Sequence, residues 1–367
     1  MVLALLIAFQ GCQEEIENIA DYNIRSEDEA LIEVINSYGF QVLSTQVQEH
    51  KTKNIIPLNQ FQLMGLLLNA SDAPWHQEML VNYGVNNKSA DEVNNSLKRI
   101  LETLRQKMAT FSSTVWYKNS IVLDSDFMES LTFFFNTDFY AHAFNSELEE
   151  EISTQLSLTS DTQKEKPLHD CIANKSGIIA TNFLTRLQPE GSYSADSMLF
   201  NGQNGTIRMP SVIISSQGHY YADEAFHFVE IPTATPDIYL NLFIPHETDN
   251  IEAALNAVTA ERWANCRRES KEEVYNLEIP DLNADCLSST NKTIPAMGTR
   301  LISESSPELD SSQVSVMAHV KLVFALERDK NNSDTKRMIV ADKPLIYLIY
   351  EKKSNCILAA GTFFANS

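Results

Sequence analysis

The spacing of apolar residues changes part-way along this chain, and that change limits what it can fold into. Up to about residue 110 the apolar positions recur every three or four residues, as on one face of a helix. From residue 178 onward they alternate or run together in short stretches bounded by proline and polar turns, as in strands. Helices therefore come first and strands later, with little regular exchange between them. That order predicts an α+β fold rather than a doubly wound parallel sheet.

Local signals place the elements. Ser26 and Glu29 have capping-box spacing and predict a helix start, continued by Leu31, Val34, Ile35, Phe40, Leu43 and Val47. Residues 58–68 are apolar all round and predict a buried helix. Pro74 suits a first helical turn that stops at Gly84. Ser89 and Glu92 form a second capping box ahead of Val93, Leu97, Ile100, Leu101 and Leu104. A strand is expected over 113–117, a helix over 125–136, a strand over 138–144 and an acidic helix over 147–158, with a surface loop over 159–177. Strands are expected over 207–214, 225–231, 238–244, 274–279, 316–326, 345–350 and 357–364, with helix over 249–266. Gly202-Gln203-Asn204-Gly205 reads as a turn joining two strands.

No Pro/Gly/Ser linker or internal repeat divides the sequence, so residues 27–367 are expected to form a single domain. Ahead of it, residues 13–26 read as a tether. Residues 1–12 have an apolar run of signal-peptide length ending at Gln10-Gly11-Cys12, as in a bacterial lipoprotein signal, although no Lys or Arg precedes the run. Cys12 is the expected lipidation site. The protein is expected to be exported, extracellular or periplasmic, with lipid as its only membrane attachment. Cys171, Cys266, Cys286 and Cys356 form no C-x-x-C pair. Two disulfides and four free buried thiols both fit them.

A net charge of −21 repels phosphate backbones and argues against nucleic acid and heparin-like polyanions as partners. The sequence holds no G-x-S-x-G, H-E-x-x-H or P-loop motif, so no enzyme is expected and no cofactor. His219 and His227 fall on neighbouring expected strands, but no metal site is expected there.

Several segments, taken in order, resemble the serpin (serine protease inhibitor) family. Glu230-Ile231-Pro232 and Leu242-Phe243-Ile244-Pro245 look like a strand pair of that family. Met209-Pro210 precedes them, and Pro57-Leu58 resembles the start of its buried helix. Asn182 and His319 match an Asn and a His of its main sheet, and 344–362 resembles its closing strands. The resemblance runs over roughly 27–365. It implies a serpin fold of three β-sheets surrounded by eight or nine helices. It also implies that active members trap a protease by inserting a cleaved loop into the large sheet.

That mechanism needs a long loop, a hinge of small residues and strands able to part. Glu327 stands eight residues after His319, as the resemblance requires, but Arg328-Asp329-Lys330 follows where Gly and Ala are expected. Insertion would bury Asp329 or Lys330 without a partner, at several kcal/mol. The sixteen residues 328–343 span about 50–55 Å at full extension, and little is left to present a cleavage site. Under the sheet, the two expected serines are replaced by Ile56 and Asn59. Pro57, Asn59, Asn182 and His319 are thus a shutter-like group expected to serve the core. Lys336-Arg337 is a trypsin-type dipeptide, expected to be an exposed basic pair. The expectation is a monomeric, non-inhibitory binding module whose partner is a protease or another protein. The alternative is a serine or cysteine protease inhibitor acting through 328–343.

Overall fold

The computed structural model describes residues 24–70, 73–107, 110–158, 168–202, 204–246, 251–290, 314–324 and 337–365. In chain order these give α1 (Ser26–Gln48), β1 (Lys53–Ile55), α2 (Pro57–Ala70), α3 (Ala73–Asn82), α4 (Ala90–Arg105), β2 (Thr110–Lys118), α5 (Ser125–Phe135), β3 (Thr137–His142), α6 (Ser146–Gln155) and α7 (Leu168–Ile172). Then follow β4 (Gly177–Leu187), β5 (Ser192–Gly202), β6 (Gly205–Ala222), β7 (Phe226–Pro232), β8 (Ile238–Pro245), α8 (Ile251–Asn256) and α9 (Ala260–Glu269). The chain closes with β9 (Lys271–Pro280), β10 (Ala284–Thr290), β11 (Val314–Phe324), β12 (Arg337–Val340), β13 (Leu345–Glu351) and β14 (Cys356–Phe363).

The helical part follows its capping chemistry. Ser89 accepts from the Glu92 N–H, and Glu92 accepts from the Ser89 N–H at 2.7 Å, as the spacing predicts. At α1 the cap lies one residue earlier than expected. Arg25, not Ser26, is the capping position, and Asp28 accepts its N–H at 2.9 Å. Asp28 is fully buried and ties α1 to α4 through Arg99, at 2.6 Å and 2.9 Å. Burial works against the charged Asp28 carboxyl. Hydrogen bonds from Arg99, the Arg25 N–H and Ser96 outweigh it and hold the pKa below the ordinary carboxylate value.

The strands form two hydrogen-bonded sheets. One has five strands in the order β10-β11-β4-β2-β3. The other has nine, running β1-β14-β13-β8-β7-β6-β9-β12 with β5 beside β6. The second sheet is continuous because β6 is 18 residues long. Its first part pairs with β5 and β9, and its last residues pair with β7, so one strand serves what would otherwise be two sheets. The sequence pattern shows only 207–214 of it, implies β5 only through the turn at 202–205, and shows none of β1, β10 or β12. The β5–β6 reversal at 202–205 lies where Gly202 and Gly205 predict it. Within the expected loop at 159–177, residues 168–172 are helical.

The main core joins α1, α2, α4 and α5 to the five-stranded sheet and to one face of the nine-stranded sheet. It includes Leu31, Phe61, Leu97, Phe135, Ile179, Phe183, Val316 and Val320. α2 is buried almost throughout, which explains its lack of a polar face. A smaller cluster packs α6 and α7 on the other side of the sheet, through Leu148, Ile152, Ile172, Ile178, Ala180 and Met317. Cys266 and Cys356 are free and buried, and burial pushes the Cys266 thiol up to about 11.

Candidate functional site

Strands β4 and β11 are the pair that a loop would have to separate. They run parallel in unbroken register from Val314↔Gly177 to Phe324↔Leu187. Residues from α2, α4 and α5 pack beneath them, so the sheet rests on a close-packed apolar layer.

His319 and Asn182 face each other across this pair. His319 is fully buried, and its Nδ1 lies 2.7 Å from Asn182 Oδ1. Strand alternation puts both side chains on the face shared with Ala180 and Met317, which packs against α6 and α7. Asn59 stands on α2, beneath the opposite face. It is fully buried, and among the described residues neither its Nδ2 nor its Oδ1 has a hydrogen-bond partner. Gln62, one turn on, is in the same condition. Pro57 opens α2 and is buried. The structure therefore joins Asn182 to His319 and leaves Asn59 outside the pair, because the pleat separates the two faces of the sheet.

Of the reactive-loop candidates, Glu327, Asp329 and Lys336 lie outside the described residues, as does Cys12. Arg337 is placed. It is the first residue of β12, which pairs in parallel with β9 through Arg337↔Tyr275 to Val340↔Glu278. Its guanidinium lies 3.3 Å from Glu273 and 4.4 Å from the centre of the Tyr220 ring. Arg337 is exposed, as expected of the basic pair, and its charged end is also held from two sides.

Behind Arg337 the contacts continue inward. Tyr220 OH lies 2.7 Å from His227 Nδ1, and the His227 and His246 rings meet edge-on with centroids 4.0 Å apart. Burial, with His246, Arg337 and Lys343 adding positive charge, lowers the His227 pKa to about 4. His219 and His227 lie on paired strands as expected. His219 instead points to Glu230, at 3.6 Å, so the two histidines share no site. Among the described residues no group of three or more His, Cys, Asp or Glu is placed to hold a metal ion. Sequence reasoning missed Tyr220, His246 and Glu273. Tyr220 and Glu273 lie far from Arg337 in the chain and become its neighbours through the β6–β9–β12 pairing, and His246, just after β8, joins through His227.

A family model described as Serpin (serine protease inhibitor) matches residues 33–365, nearly the whole chain. The chain belongs to the serpin family. Solved structures agree on the fold. Native protease nexin-1 with heparin superposes with a TM-score of 0.73 at 14% identity, covering 92% of this chain and 100% of that one. SRPN18 from Anopheles gambiae gives 0.72 at 13%, covering 92% and 98%. Thyroxine-binding globulin in complex with thyroxine gives 0.71 at 13%, covering 91% and 99%. No curated protein matches by sequence. The expected serpin architecture is present, with two of its sheets continuous through β6. The family is one of protease inhibitors rather than catalysts. Among the described residues of this serpin no helix is long and apolar enough to cross a membrane.

Proposed function

We propose that this serpin is an exported binding module that does not trap proteases by loop insertion. One observation carries the reading: twelve residues, 325–336, separate Phe324 on β11 from Arg337 on β12. A stretch of twelve residues has little length with which to present a bond to a protease and then become a strand. Its composition, with Glu327, Arg328, Asp329, Lys330, Asp334 and Lys336, opposes burial under an apolar sheet. A serpin fold also serves in thyroxine-binding globulin, solved in complex with thyroxine, so small-molecule carriage belongs to the range of this scaffold. The segment ending at Cys12 supports export and lipid attachment.

The competing reading is a protease inhibitor acting through residues 328–343, and Lys336-Arg337 supports it. Incubation with trypsin-like and elastase-like proteases, followed by a denaturing gel, separates the two. Nicking without an adduct is the expected result. An adduct that survives heat and detergent would refute the binding-module reading.

A further inference from the structure

We infer that the Tyr220, His227 and His246 cluster is an acid-sensitive latch that holds β12 against β9, and so sets the length of the connection between β11 and β12. The inference is independent of whether the protein inhibits proteases.

The geometry links the imidazole pair to the first residue of the strand. Arg337 stacks on Tyr220, the Tyr220 hydroxyl bonds His227, and His227 touches His246. β12 is only four residues long and, among the described residues, pairs with β9 alone. Its attachment rests on the parallel ladder, on the buried Ile339, on Ala341 N–H donating to Glu278 O, and on the Arg337 clamp. Few contacts hold such a strand, so removing one group of them shifts its equilibrium strongly.

The charged and titratable neighbours come from every side. β6 supplies Tyr220, whose register partner on β9 is Lys271. β9 also supplies Glu273, and β12 supplies Arg337. His246 follows β8, and its Nε2 lies 2.8 Å from the Asp223 carbonyl oxygen. The Asp223 carboxylate is taken up by Arg262 of α9. Lys343 adds a further positive charge. A proton on His227 therefore enters a group that already holds Arg337 and Lys343, while Glu273 is paired with Arg337 and Asp223 with Arg262. The protonated Nδ1 must also donate, so the Tyr220 hydroxyl has to accept. The added positive charge works against Arg337 on the Tyr220 ring. Once Arg337 leaves, water reaches His227 and the proton is stabilised. Acid therefore favours the state with β12 detached, in which the twelve-residue connection lengthens to at least sixteen.

With His227 at about 4 in the closed state and 6.5 when solvated, opening of β12 should rise by up to roughly 30-fold from pH 7.5 to pH 5. This is an upper limit, since His227 is only partly buried in the closed state.

Hydrogen exchange of the full chain, corrected for intrinsic rates, tests this at the amides of Ile339, Val340 and Ala341. Protection there should fall by 10-fold or more between pH 7.5 and pH 5, while amides of β4 and β11 keep theirs. The double substitution His227→Gln with His246→Gln should abolish the pH response. Arg337→Gln should give fast exchange of β12 already at pH 7.5. Unchanged β12 protection in the unmodified protein would overturn the inference whatever the variants do. So would a pH response that persists in a folded double variant.

Discussion

Cutting the 325–336 connection should leave the thermal stability of this serpin almost unchanged. The slot between β4 and β11 is eleven residues long, about 36 Å. After a reversal of about two residues, a cut at the 336–337 bond leaves about ten residues to fill it, roughly 33 Å. A cut in the middle of the connection leaves about four, roughly 13 Å. In the favourable case the new strand would add about ten net backbone hydrogen bonds, worth about 0.5–1.5 kcal/mol each. Ordering those residues costs about 1–2 kcal/mol apiece, which offsets or exceeds that gain. The side chains then decide the sign. In one register Glu327 and Asp329 face the layer of Phe183, Val316 and Val320; in the other Arg328, Lys330, Asp334 and Lys336 do. Each unpaired ion adds several kcal/mol against insertion. The test is limited digestion with trypsin, mass-spectrometric location of the cut, and a melting scan of the nicked, still associated protein. The melting temperature should move by less than about 2 °C. A gain of 5 kcal/mol would raise it by about 7 °C in a domain of this size. A rise of that size, or coordinates with the cut segment between β4 and β11, would refute the reasoning.

Other predictions rest on the buried charges. Lys107→Met should cost about 3–5 kcal/mol in urea unfolding, because it leaves the nearly fully buried Glu351 without its 2.5 Å ion pair. Stability should fall as pH drops below the ordinary carboxylate range. Burial alone would raise Glu351, but bonds from Lys107 and Ser354 hold it low, as Arg99 does for Asp28, so both carboxylates must be protonated against their partners. Arg99→Met should flatten that acid limb, and a limb of unchanged steepness would count against Asp28 as a contributor. Cys12→Ser should move the full-length chain, expressed in a bacterium, from the membrane fraction to the soluble one. Equal partition of both forms would remove the case for lipid.

By itself the sequence determined the class of fold and most of its helices. Periodicity and capping are local: Ser89 and Glu92, the apolar run after Pro57, and the turn at Gly202 and Gly205 act on neighbours a few residues away. The prolines at 232 and 245 likewise mark strand ends without help from the rest of the chain. What only the tertiary structure decided is which distant residues meet. β12 carries no pattern of its own, since four residues define no period. It exists as a strand because β9 offers a ladder and Tyr220 offers a ring. The separation of Asn59 from Asn182 and His319 depends on which face of a pleated strand each occupies, and that is fixed by the packing of α2 on one side and α6 on the other. Hydrophobic pattern sets the element; register and packing set its neighbours, and the site is made of neighbours.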